Sequence, residues 1–251
     1  IVTPRGEILH GRAGGLALQD GQLLLVDAGA EEPAGYASDV TRTWPASGAF
    51  DARQRAVYQA VLESQEAAIA RCRAGTRYRE VHLAAARVLT EHLVELGLLR
   101  GAVDGLLEQG AHAVFFPHGV GHLIGLDVHD MEMMGEQVGY PAGRQRSEQF
   151  GLAFLRLDRD LRPGMVVTVE PGIYLAPGLL GDAGLRERLG DSVDWELARS
   201  WLPFGGIRIE DDVLVTEGQP EILSGAIPRS VEEVEERVGS GPSPRERLLA
   251  L

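Results

Sequence analysis

Four carboxylates and a run of histidines stand out in this chain by the company they keep. Asp27 closes the apolar run Leu-Leu-Leu-Val, Glu170 follows Met-Val-Val-Thr-Val and precedes Pro171-Gly172, and Glu210 follows Gly-Ile-Arg-Ile. A carboxylate ending a buried strand needs a cation or several donors. Left alone it loses on the order of several kcal/mol or takes up a proton. Asp39 lies twelve positions after Asp27. A hairpin folded about Pro33 is expected to set the two directly opposite each other, within reach of one metal. In the 206–210 segment a period of two puts Arg208 and Glu210 on one face and Ile207 and Ile209 on the other. Each acid has an ordinary explanation taken singly: an Asp at a strand end serves as turn-former or cap, and Glu210 can pair with Arg208. Four of them on apolar strands need a shared positive charge, and a pair of divalent metals supplies it.

His118, His122 and His129 fall within twelve residues, interleaved with glycines. Such a segment is expected to line a site. His82 and His92 lie in a predicted helix and read as plain surface or core residues. His112 stays open, and His10, in a glycine-rich stretch, says little by itself. An oxygen-rich donor set with one imidazole favours Mn(II) or Co(II) over thiolate-type zinc. Two such ions roughly 3.5–4 Å apart can share a hydroxide, lower its pKa and polarise a carbonyl.

The elements that must carry these residues follow from periodicity. Residues 23–30 read as a buried strand and 36–44 as its partner, joined by the loop chemistry of Glu31-Glu32-Pro33-Ala34-Gly35. Asp51 is expected to cap a helix to about residue 73, with Ala56, Val57, Ala60, Val61, Ser64, Ala67, Ala68 and Cys72 along one face. A second helix is predicted over 79–96, ended by Gly97. Residues 165–174 and 206–216 read as strands introduced by Pro163-Gly164 and Gly205-Gly206. A short helix is predicted near 184–189 and a last one over 230–238. With no tandem repeat and no linker, the whole chain reads as one α+β domain.

Composition narrows the partners. The 251 residues carry 37 acidic against 24 basic groups, a formal net charge of −13. Duplex nucleic acid is therefore an unsuitable partner, since such binding draws on clustered Lys and Arg. No apolar run approaches the ~20 residues that span a bilayer, so no membrane partner is expected. The single Cys72 cannot form an internal disulfide, which fits a cytoplasmic, reducing compartment. No cationic leader opens the chain, and it starts at Ile1 as though inside something longer.

Six segments, in order, carry a resemblance: Leu-Val-Asp-Ala-Gly, Ala-Ser-Asp-Val-Thr-Arg-Thr, Pro-His-Gly-Val-Gly-His, Gly-Leu-Asp-Val-His-Asp, Thr-Val-Glu-Pro-Gly-Ile-Tyr and Gly-Ile-Arg-Ile-Glu-Asp-Asp. Over roughly residues 8–238 the chain resembles the pita-bread metallopeptidases, the family of methionine aminopeptidase, aminopeptidase P and prolidase, and looks most like its proline-specific branch. The resemblance implies an α+β pita-bread fold with a pseudo-twofold repeat. It also implies helices before residue 1, so the first repeat is expected to be truncated at its N-terminus, with the family's N-terminal domain absent. It implies two divalent metals, Mn(II) first with Co(II) or Zn(II) as options, on Asp27, Asp39, His122, Glu170 and Glu210. The implied reaction is hydrolysis of the Xaa-Pro bond of dipeptides or short peptides by a metal-bridged hydroxide. Glu170 would shuttle the proton, His129 would contact the substrate carbonyl or proline region, and His118 would line the proline pocket. His10 matches a further pocket histidine, and Arg208 a residue on the substrate side that orients the last strand. Arg156, fourteen residues before Glu170, aligns with a prolidase arginine that holds the dipeptide's free carboxylate. Family members form homodimers or larger homo-oligomers, which is the expectation for the full-length protein. The alternatives are an aminopeptidase P acting on longer Xaa-Pro peptides and a non-catalytic pita-bread binding protein; the latter usually loses ligands that are all kept here.

Overall fold

The computed structural model describes residues 1–9 and 17–241. Strand β1 (Val2–Thr3) runs antiparallel to β2 (Leu23–Ala28), which pairs antiparallel with β3 (Val40–Pro45). The expected hairpin is there, with shorter strands, because the Pro33-Gly35 loop spreads outward to a lone bridge between Glu31 and Ala37. Its register corrects one expectation. Asp27 faces Thr41 and Ala28 faces Val40, so Asp39 stands one diagonal step from Asp27 on the same face, not opposite it. Opposite Asp39 is Gly29, where the chains approach so closely that a Cβ would lie 1.8 Å from the Ser38 carbonyl oxygen.

Helix α1 (Ala52–Ile69) begins at Asp51 through a reciprocal capping box with Gln54. It ends at Ile69, short of residue 73, because the chain turns ahead of Gly75 (φ +85°). Val57, Ala60, Val61, Ser64 and Ala68 are buried as the period requires. Tyr58 and Gln65 join them, while Ala56 faces solvent. Helix α2 (Tyr78–Glu95) stops before Gly97 (φ +74°) and packs along α1, where the Ser64 hydroxyl donates to the Ala85 carbonyl over 3.1 Å. Helix α3 (Val103–Gln109) leads into the histidine segment.

The expected strand 165–174 is two pieces, β4 (Val166–Val169) and β5 (Gly172–Tyr174). Helices α4 (Pro177–Leu180), α5 (Ala183–Leu189) and α6 (Trp195–Ser200) follow. The expected strand 206–216 is likewise β6 (Gly206–Arg208) and β7 (Asp211–Leu214), followed by β8 (Glu221–Ile222) and α7 (Val231–Arg237). β4 pairs with β7 and β5 with β6 in one continuous antiparallel register, interrupted at 170–171 and 209–210. The interruption has a physical source. Pro171 has no N–H, and the two neighbouring acids send theirs elsewhere: Glu170 N–H to the Val120 carbonyl at 2.8 Å, Glu210 N–H to the Thr41 carbonyl at 3.1 Å. The gap in the ladder therefore ties it to the histidine loop on one side and to β3 on the other.

A buried ion pair between Arg42 on β3 and Asp211 on β7 (2.8 Å) binds the two hairpins, and Gln65 of α1 donates to the same Asp211 carboxylate at 3.0 Å. Large buried side chains, among them Tyr58, Tyr78, Phe115, Phe116, Leu89 and Leu93, fill the core that includes α1 and α2.

Candidate metal centre

The two hairpins deliver the four acids to one place. On the first, Asp27 and Asp39 share a face through their diagonal offset, and their carboxylates interact directly. On the second, the unbroken register sets Glu170 across from Glu210. The histidine loop enters alongside β4: Thr168 N–H donates to the His122 carbonyl at 2.9 Å, and His122 N–H to the Thr168 hydroxyl at 3.1 Å. A Cβ at Gly121 would lie 2.1 Å from the Thr168 carbonyl oxygen, so only glycine permits that approach. His122 Nε2 then lies 3.7 Å from both Asp39 and Glu170, and ligand atoms of Asp39, His122 and Glu210 all lie within 4.8 Å of one another.

The imidazole is oriented for this. Its Nδ1 meets the Leu123 carbonyl at 2.9 Å, and a carbonyl only accepts, so the proton sits on Nδ1 and the Nε2 lone pair faces the acids. Burial pushes His122 down to about 4, keeping it neutral at pH 7. The acids move the other way. Burial, and then the charge of Asp27, raises Asp39 to about 6; burial raises Glu170 to about 7, with Arg208 opposing and Asp39 adding. Glu210 is raised well above its ordinary value by burial, then by Glu170 and Asp39. Arg208 brings one positive charge to four carboxylates, so the set is short of cation. Buried oxygen donors short of positive charge, with one neutral imidazole, are a fit for divalent metal.

Around the cluster lies a second layer. Arg208 is buried with its donors engaged: Nη2 with Asp27, Nη1 with the Tyr174 hydroxyl at 3.3 Å and Nε with Thr41 at 3.1 Å. Thr41 in turn donates to Glu210 at 2.6 Å. His118 Nδ1 donates to the Gly119 carbonyl (2.8 Å), which leaves Nε2 to accept from the Tyr174 hydroxyl at 2.9 Å. His129 stands edge-on to His122 with ring centroids 4.3 Å apart. Asp212 accepts the Asp39 N–H at 3.2 Å, and burial raises it to about 6.

The cluster opens into a cleft of about 1700 Å³ whose walls include His118, His129 and Arg156 as well as the five donors. His10 lies outside the described residues. His82 and His112 are buried core groups, and His92 meets Glu63 at 2.8 Å. Sequence reasoning assigned nothing to Thr41, Tyr174, Asp212 or Glu132. A period of two from Asp39 reaches Thr41, which was a usable signal; Glu132, in a loop, offered none.

The chain is similar to several known proteins. The model of metallopeptidase family M24 matches residues 1–217. The Xaa-Pro dipeptidase of Homo sapiens is 42% identical over 232 residues, covering 91% of this chain and 45% of that protein. The Xaa-Pro aminopeptidase of Escherichia coli (strain K12) is 40% identical over 230 residues, covering 92% and 44%. Among solved structures, Pseudomonas aeruginosa aminopeptidase PepP superposes with a TM-score of 0.72 at 39% identity, covering 94% of this chain and 46% of that one. A zinc-substituted E. coli aminopeptidase P in complex with product gives 0.73 at 37% identity, covering 96% and 47%. The chain thus spans less than half the length of the relatives it matches. Its α+β architecture is the pita-bread fold of these proteins. On the family match, the identities and the shared fold together, the chain belongs to metallopeptidase family M24.

Proposed function

We propose that this chain hydrolyses the bond between an N-terminal residue and a following proline, with a dipeptide as the preferred substrate. The observation that carries the reading is the convergence of four acids and one neutral imidazole in the lining of a single cleft. Asp27, Asp39, His122, Glu170 and Glu210 would hold two divalent cations, with Mn(II) favoured by the oxygen-rich donors. When bound, such a pair supplies Lewis acidity toward the scissile carbonyl and a water of lowered pKa. Glu170, facing Glu210, takes the proton of the attacking water and passes it to the departing proline nitrogen. His129, beside His122, donates to the carbonyl oxygen of the scissile bond. His118, fixed between Gly119 and Tyr174, lines the proline site. Arg156, about two-fifths exposed on the cleft wall, pairs with the free carboxylate that a dipeptide presents beside its proline.

A charge-assisted, bidentate pair of this kind contributes roughly 1.5–3 kcal/mol. Chain extension turns that carboxylate into a neutral amide. Metal analysis beside hydrolysis of Xaa-Pro, Xaa-Pro-Xaa and Xaa-Ala peptides tests the whole reading. We expect metal-dependent cleavage of the proline peptides alone, the dipeptide fastest, with Arg156→Ala hurting mainly the dipeptide. No cleavage after reconstitution with Mn(II), Co(II) or Zn(II) overturns the activity. Equal effects of Arg156→Ala on dipeptide and tripeptide overturn only the dipeptide preference and favour an aminopeptidase P.

A further inference from the structure

Arg156 does not stand by itself on the cleft wall. Its Nη1 donates to Glu132 Oε2 at 2.7 Å, and the same oxygen lies 3.8 Å from His129 Nδ1. Both side chains line the cleft that the five donors open into. Glu132 reaches them from a single 3₁₀ turn, Glu132–Met134, whose apolar residues have little hold: Met133 is 98% exposed and Met134 66%. Met131, just before it, is the one non-glycine residue with positive φ (60°) among the described residues. A side chain in that region is disfavoured, and such outliers persist where the surroundings over-determine them. Here the strained backbone aims Glu132 inward while the methionines beside it face water. The second carboxylate oxygen, Oε1, is buried without a hydrogen-bond partner, so burial alone would not keep the side chain there.

We propose that Glu132 is the positioning residue for Arg156: it holds one end of the guanidinium so that the remaining edge meets the substrate's free carboxylate. The proposal rests on the reading of Arg156 given above and deepens it. An arginine has five donors in a planar fork, and capture of a carboxylate by two of them needs the plane fixed. On an exposed arginine that plane is lost to side-chain rotation. Anchoring Nη1 to Glu132 removes the rotation and leaves the Nε–Nη2 edge for the ligand. Glu132 thereby makes a flexible cation selective for one geometry of anion, the carboxylate of the second residue.

The test is steady-state kinetics of the Mn(II)-loaded protein on an Xaa-Pro dipeptide and on its C-terminal amide. The proteins are wild type, Glu132→Gln, Arg156→Ala and the double variant, with metal content and Tm checked for each. Glu132→Gln keeps the shape and removes the charge. We expect it to raise the dipeptide KM about five- to thirty-fold with kcat within about three-fold, while the amide KM moves less than two-fold. In the Arg156→Ala background it should add nothing, because the pair acts as a unit. A dipeptide KM that is unchanged overturns the proposal. A KM that falls overturns it too, and shows Glu132 competing with substrate for Arg156. A kcat loss shared equally by both substrates also overturns it, since that reports His129 instead. If Arg156→Ala leaves the dipeptide KM intact, the carboxylate reading of Arg156 fails and the proposal with it. Loss with Arg156→Ala but not with Glu132→Gln rejects the positioning role alone.

Discussion

Glu170 is the residue at which the proposed proton transfer and charge compensation would meet. It faces Glu210 across the interrupted ladder, lies 3.7 Å from His122 Nε2, and burial raises it to about 7 in the metal-free protein. Glu170→Gln keeps the volume and would remove both the proposed proton acceptor and a proposed ligand charge. Its turnover is expected to fall 10²–10⁴-fold at saturating Mn(II), the usual range for a lost general acid–base group. Wild-type-like turnover in that variant would reject its assignment. Thr41 and Tyr174 work at one remove. Thr41 accepts from Arg208 and donates to Glu210, and Tyr174 accepts from Arg208 and donates to His118, so Glu210 and His118 share one hydrogen-bonded frame through Arg208.

At the scale of elements, the hairpin β2–β3 depends on Gly29. A Cβ there would collide with the Ser38 carbonyl, and relief must push Asp39 away from Asp27. Gly29→Ala is expected to lower stability by about 1–3 kcal/mol, as overpacking does, and to lower bound metal per chain. Gly21→Ala makes a control: its Cβ meets nothing within 4 Å, though φ is +79°, so it should lose some stability and keep its metal. Full metal occupancy in Gly29→Ala would show that the close approach is dispensable. Helix α2 offers a second test. His82 on α2 stacks on Phe116 (5.2 Å) and lies 6.5 Å from His112, both rings buried without hydrogen-bond partners. Burial pushes them down to about 3 and about 4, with the neighbouring His112 adding to the shift of His82. A base that binds its proton less tightly when folded leaves the unfolded chain with more protons. Stability is therefore lost as pH falls below about 6.5 toward the folded values. Relative to wild type, His82→Leu should gain stability on going from pH 6.5 to 4, by up to about 1.4 kcal/mol per pH unit. Urea unfolding of both proteins in chelator measures it, and a difference that stays flat with pH would count against the buried neutral ring.

The whole molecule is acidic, at −13, and brings these four acids together in the lining of its cleft. Asp39, Glu170 and Glu210 hold protons more tightly folded than unfolded, so in the metal-free protein the stability these three acids contribute is lost as pH rises from about 4 through 6–7, opposite in sign to the histidines. Cations bound there would replace those protons, and protons would in turn compete with metal at low pH. The Tm difference between metal-loaded and chelated protein should therefore widen steadily from pH 5 to pH 8. Thermal melts in Mn(II) and in chelator across that range give the answer. A constant difference would mean that the cluster is not where the metal's stabilisation arises.

Much of this was legible in one dimension. The acids at 27, 170 and 210 end apolar runs, and although each has an ordinary explanation by itself, together with Asp39 they need a shared cation; the Asp51 cap and the two long helices follow from local chemistry and period. Tertiary structure decided what pairing and close approach decide. The 27–39 pair is diagonal because the register is set by how closely Gly29 lets the chains meet. The two strands around Glu170 and Glu210 break because Pro171 lacks an N–H and the acids' own N–H groups are claimed by Val120 and Thr41, partners far away in sequence. Glu132 was invisible for the same reason: a loop carries no period, and only the folded cleft brings its carboxylate to Arg156.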